Sequence, residues 1–102
     1  MSARAAETHA RIVQEIVKEK AVTLGRAGER LEAALAEVAA IARAWPAAGD
    51  AAEHERLTAA YDRAWRAADT ARQTLLIQRE AVGLRHHRDV EQQFPRPPRR
   101  PG

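Results

Sequence analysis

The chain has no cysteine, only four aromatic residues in 102 (Trp45, Tyr61, Trp65 and Phe94), and no long apolar run. Without cysteine there can be no disulfide, thiolate metal site or cysteine nucleophile. A membrane span needs roughly 20 consecutive apolar residues, and charges interrupt every stretch here well before that. The opening Met1-Ser2-Ala3-Arg4 leads into charged sequence, so no secretory signal is expected. By exclusion the expected location is a bacterial-type cytoplasm, with no membrane partner. Large aliphatics are scarce too: 24 residues are alanine and only 17 are Val, Ile or Leu. Alanine favours helix but buries little area. A small domain already buries a modest share of its surface, so this one is expected to need a partner.

Proline is missing from two long segments and crowded elsewhere. None occurs before Pro46, none between Pro46 and Pro95, and four fall in residues 92–102. Strand-like alternation is absent. In the first segment Leu24, Leu31, Val38 and Trp45 are seven apart, as are Ala21, Gly28, Leu35 and Ala42. In the second, Tyr61, Ala68, Leu75 and Val82 repeat the spacing, flanked by Leu57, Ala64 and Ala71. Each set draws one apolar stripe along a helix. Between them, Trp45-Pro46-Ala47-Ala48-Gly49-Asp50 breaks the helix at proline and offers Asp50 as a cap, with Glu53 at capping-box spacing.

The expected fold is therefore all-α: an antiparallel, coiled-coil-like, Ala-rich two-helix hairpin over 1–91. Helix one covers about 3–44, the loop 45–50 and helix two about 51–91. The alternative breaks helix one near Gly25 to give three helices. Residues whose numbers sum to about 97 should face each other, setting Val38 against 57–61, Leu31 against 64–68 and Val17 against 78–82. Residues 92–102 form a Pro/Arg-rich tail, expected to be polyproline II or disordered, with Phe94 able to dock on the hairpin end.

Basic and acidic residues balance, seven each over 1–50 and five each over 51–80. The net +3 arises in 81–102, where five arginines meet two acids. The arginines are Arg85, Arg88, Arg96, Arg99 and Arg100. Two readings follow for this end: phosphate contact by arginines, sequence-blind and salt-dependent, or prolines filling an aromatic groove on a partner. Against both stands a plain solubilising extension. Arg85-His86-His87-Arg88 reads as a basic helix end. Adjacent histidines point about 100° apart and cannot grip one metal from one helix face, even with His9 brought near.

Gly25 and Gly28 inside helix one each cost about 1 kcal/mol relative to alanine. That suggests a close contact with another helix or a ring such as Trp65, or else a hinge or ligand contact. The register also sets Glu15, Glu19, Lys20 and Arg26 near Gln78, Arg79 and Glu80. This polar layer would fix the register with weak ion pairs, or in a sharper reading hold a small-ligand or catalytic site. Two thin helices make a poor pocket. Ile12, Ile16, Ile41, Trp65, Leu76 and Ile77 lie off the main stripe, and Leu75, Leu76 and Ile77 with Trp65 are the expected dimer contact, pairing two hairpins into a four-helix bundle.

Two blocks, Glu19-Lys20-Ala21-Val22-Thr23-Leu24-Gly25-Arg26-Ala27-Gly28 and Gln78-Arg79-Glu80-Ala81-Val82-Gly83-Leu84-Arg85, resemble a family of short bacterial helical proteins known as a domain of unknown function. In that pattern the last segment runs on past a single proline; here it becomes the arginine-proline tail. The resemblance implies a helical fold and brings no activity. The leading expectation is thus a non-enzymatic, homodimeric helical scaffold with an unidentified protein partner and no cofactor. Weak nucleic-acid binding by the basic end is the alternative, and a site at Glu19 and Arg79 the third.

Overall fold

The computed structural model describes residues 2–102 and is all-helical, with no strand among them. Residue 1, where the expected hairpin domain begins, lies outside the described residues. Helix α1 spans Ala3–Ala44. Its start is capped by Ser2, whose hydroxyl accepts from the Ala5 backbone N–H at 3.2 Å. The helix runs unbroken through Gly25 and Gly28, so the three-helix alternative with a break near Gly25 does not occur. A single 3-10 turn, Trp45–Ala47, follows at Pro46. Helix α2 spans Ala51–Ala81, capped by Asp50, which accepts from Glu53 N at 2.8 Å. The corner is clamped by Trp45, whose indole donates to Thr58 Oγ1 at 2.9 Å and whose ring lies 4.8 Å from that of His54.

The two helices form the expected antiparallel hairpin. Its core has two parts. Near the corner, Val38, Tyr61 and Ala68 pack together, with Ile41 and Trp65 against them. Farther along, Ala27 and Leu31 pack with Leu75. The Val38–Tyr61 pairing sums to 99, within the expected register, but Leu31 packs with Ala71 and Leu75 rather than with 64–68, so the register shifts toward higher sums away from the corner.

Two expectations about the helices fail. First, α2 stops at Ala81 rather than near residue 91. Gly83 takes φ +92°, and the end closes with Leu84 N donating to Arg79 O and Gly83 N to Glu80 O. This is a Schellman closure, which a residue without Cβ enters cheaply. After it, the short helix α3, Arg88–Gln93, turns the chain back and drives Val90 into the core beside Leu31 and Leu75. Second, the helices do not close along their whole length. At 1.5 Å per residue α1 is about 63 Å long and α2 about 46 Å. Every residue from Ser2 to Thr23 is exposed, Val17 included, and burial begins at Leu24. One end of α1 therefore projects alone, and the molecule measures 74 × 21 × 15 Å.

Candidate functional site

Among the described residues, the longest-range polar contacts join α2 to the tail. Along α2, Tyr61, Trp65, Ala68 and Arg72 follow spacings of four, three and four, which place them on one side of a helix. Asp62 and Asp69 lie beside that row. Tail residues meet these in reverse order. The Phe94 carbonyl accepts from Arg72 Nη2 at 2.6 Å. Arg96 pairs with Asp69 at 2.8 Å, the Pro97 carbonyl accepts from the Trp65 indole at 3.2 Å, and the Pro98 carbonyl accepts from the Tyr61 hydroxyl. Arg99 pairs with Asp62 at 2.6 Å while its guanidinium stacks 4.5 Å over the Trp65 ring. Gly102 finally lies against the Trp45 ring at the corner.

The chemistry explains why a proline-rich segment sits there. Prolines bring carbonyls but no N–H donors, so such a strand cannot satisfy itself. Donors must come from outside, and Tyr and Trp supply them from rings that also give apolar area. The dimensions match as well. From Arg72 to Asp62 is ten helical residues, about 15 Å; from Phe94 to Arg99 is five steps, again about 15 Å at 3.1 Å per extended residue.

Charge is distributed to match. Hydrogen bonds from Arg99 and then Arg66 hold the Asp62 carboxyl below its ordinary value. Burial pushes the Tyr61 phenol up, with Arg99 opposing. Arg72 is 3% exposed, and among the described residues no carboxylate is in salt-bridge range of it and its Nη1 has no hydrogen-bond partner. Burial, then repulsion by Arg96, push its pKa down, while Asp69 and Glu91 pull it up. Beyond the docked tail, a groove of about 650 Å³ stays open between Glu55, Thr58 and Tyr61 on α2 and Arg99 and Pro101.

The tail is therefore a docked element, not a free solubilising extension. Its prolines do meet aromatic side chains, but through their carbonyls and on α2 of the same chain, not in a groove on a partner. Of the basic residues expected to mark this end, Arg96 and Arg99 are bound to aspartates, whereas Arg85, His86, Arg88 and Arg100 are exposed. The expected polar layer across the helices does not form. Glu15, Glu19, Lys20 and Arg26 are exposed and join no ion pair among the described residues, while Gln78 is half-buried. Arg79 turns instead to the α2–α3 connection, donating to the His86 carbonyl at 3.0 Å and pairing with Asp89 at 2.9 Å. His87 Nδ1 accepts from Arg79 Nε at 3.3 Å, so Nε2 is the nitrogen that donates to Glu80 at 3.0 Å. Among the described residues no three His, Asp or Glu side chains gather as a metal site.

The glycines face open space: nothing comes within 4 Å of a Cβ built at Gly25 or Gly28. Neither a second helix nor Trp65 lies against them. They instead border a shallow groove of about 360 Å³ shared with Val90 and Phe94. The expected dimer contact is largely consumed inside the monomer. Leu75 is buried in the hairpin, Leu76 packs against the same cluster and Trp65 lies under the tail. Only Ile77, 67% exposed, still faces outward.

Compared with known protein families, curated proteins and solved structures, the chain matches none. No helix is long and apolar enough to cross a membrane among the described residues. Sequence reasoning named Trp65 and the tail but missed Asp62, Asp69 and Arg72. The signal available was the seven-residue spacing of the two aspartates beside Tyr61 and Trp65.

Proposed function

We propose that the protein is a non-enzymatic helical interaction module that pairs with a second copy of itself through the free end of α1. One observation carries this: the face of α1 that packs on α2 continues, uncovered, along the projecting end. Eighteen residues make five helical turns, so Val13 lies in line with Leu31, Ile16 with Ala34 and Val17 with Leu35. Val13, Ile16 and Val17 stand 45–61% exposed, where Leu31 is buried and Ala34 and Leu35 are half-buried; Ile12, 50% exposed, flanks the same stripe. A helix stripe of this kind is built to be covered.

A second copy fits the stripe because it is self-complementary. Antiparallel pairing about a two-fold axis between Gln14 and Glu15 sets Ile12 against Val17 and Val13 against Ile16 on both sides. The assembly would be an elongated rod with a tail-latched hairpin at each end. A cytoplasmic location suits this reading, and the resemblance to short bacterial helical proteins adds no activity to it.

The test is light scattering coupled to size exclusion. The wild-type chain is expected to elute with the mass of two chains, and Ile16→Glu with the mass of one at unchanged helical content. A wild-type chain that stays single at high concentration overturns the proposal, as does an Ile16→Glu chain that still pairs.

A further inference from the structure

We propose that the Tyr61–Trp65 face of α2 is a recognition site for arginine-bearing proline-rich segments of a partner protein, and that the chain's own tail occupies it as a displaceable, autoinhibitory ligand. The face meets such a segment on each of its chemical features. Tyr61 and Trp65 donate to carbonyls of successive prolines. Asp62 and Asp69, seven apart and so about two turns along one side of the helix, receive two arginines three apart in an extended strand. Arg72 takes the carbonyl at the entrance. Every polar tail contact on this face is to a proline carbonyl, a phenylalanine carbonyl or an arginine head group. Any segment with the pattern Phe-Pro-Arg-Pro-Pro-Arg presents the same groups, whichever chain carries it.

The tail can be displaced because it is held at its edges. Both Arg–Asp pairs are about half exposed at the arginine, where such pairs are weak and screened by salt. Only Val90 of the returning segment is buried in the core, and it lies before the tail proper. Release of 94–102 leaves the hairpin and its Val90 anchor in place and opens the row Tyr61, Trp65 and Arg72. Aromatic grooves that read prolines work with few contacts and a preformed strand, which suits exchange between a resident and an incoming ligand. The resident lowers apparent affinity for the incoming segment by the fraction of time the site is open.

The experiment uses the full chain and a fluorescein-labelled peptide of residues 93–102, read by anisotropy at low salt. Arg96→Glu/Arg99→Glu sets two glutamates against Asp62 and Asp69 and frees the groove. This chain is expected to bind the peptide at least about tenfold more tightly than wild type. Asp62→Arg/Asp69→Arg should lose the peptide but bind one carrying glutamate at the two arginine positions, a charge exchange that a merely unfolded protein would not show. Circular dichroism checks that each hairpin is intact. An opened, folded chain that ignores the peptide overturns the proposal, and so does equal binding by the opened and wild-type chains. If unlabelled wild-type protein drives the peptide off the opened chain into a heavier complex, the site belongs to a second copy's tail, and the partner reading falls.

Discussion

Two positions on one face of α1 make the sharpest test of how this molecule is held together. Leu31 and Val13 are eighteen residues apart and point the same way, yet Leu31 is 0% exposed and Val13 45%. Only Leu31 has α2 opposite. Leu31→Ala removes three carbons from the centre of the cluster formed with Ala27, Leu75 and Val90. At about 0.8 kcal/mol per buried methylene the transfer loss is about 2.4 kcal/mol. The remaining cavity brings the expected cost to about 3 kcal/mol. For a chain of this size that is a large share of total stability, and it should lower the melting temperature by about 15 °C. Val13→Ala should change stability by less than about 0.5 kcal/mol, because its lost contacts are few and alanine is the better helix former. Both substitutions are made in the Ile16→Glu chain, so that association through α1 does not enter, and read by urea denaturation followed at the helix band. If the two cost the same, or if Val13→Ala costs more than Leu31→Ala, then α1 is not divided into a packed and a free half and the reasoning fails.

Other outcomes follow from the same geometry. Gly25→Ala meets nothing within 4 Å and should stabilise by up to about 1 kcal/mol. Gly83→Ala forces a Cβ into φ +92° and should destabilise by about 1 kcal/mol, so opposite signs in thermal melts are expected. Tail docking should fail at both extremes of pH, reported by Trp65 fluorescence. Asp62 has a depressed carboxyl, so its contribution is complete above the ordinary value of 3.8 and is lost as pH falls through its lower folded value. Tyr61 has a raised phenol, so its contribution is complete below 10.0 and is lost as pH rises through its higher folded value. Tyr61→Phe should remove the alkaline transition and leave the acid one.

The hairpin was legible in the sequence because its signals are local. A heptad stripe, a proline at the corner and an aspartate cap each act within a turn or two of helix. They sufficed for two antiparallel helices, the corner at Trp45–Asp50 and the register that sets Val38 by Tyr61. Gly83 was legible in principle: a glycine followed by a leucine at a helix end is the Schellman pattern. Continuing the stripe from Leu75 to Val82 concealed it.

What only the tertiary structure decided is where the stripe goes uncovered and what the tail binds. The two helices have different lengths because α2 ends at Ala81, closed by Gly83, so Ile12, Val13, Ile16 and Val17 lie on the apolar side of α1 without receiving a core. Periodicity records which face of a helix is apolar; it carries no information on whether another element reaches that far. Likewise Arg79 had equally good carboxylates in Glu19 and Asp89, and the turn after Ala81 brought Asp89 to it. In the tail, proline removes the backbone donors that would make its conformation locally predictable. Its position was left to the side chains of α2, 22 to 37 residues away in sequence and adjacent only once α3 had reversed the chain.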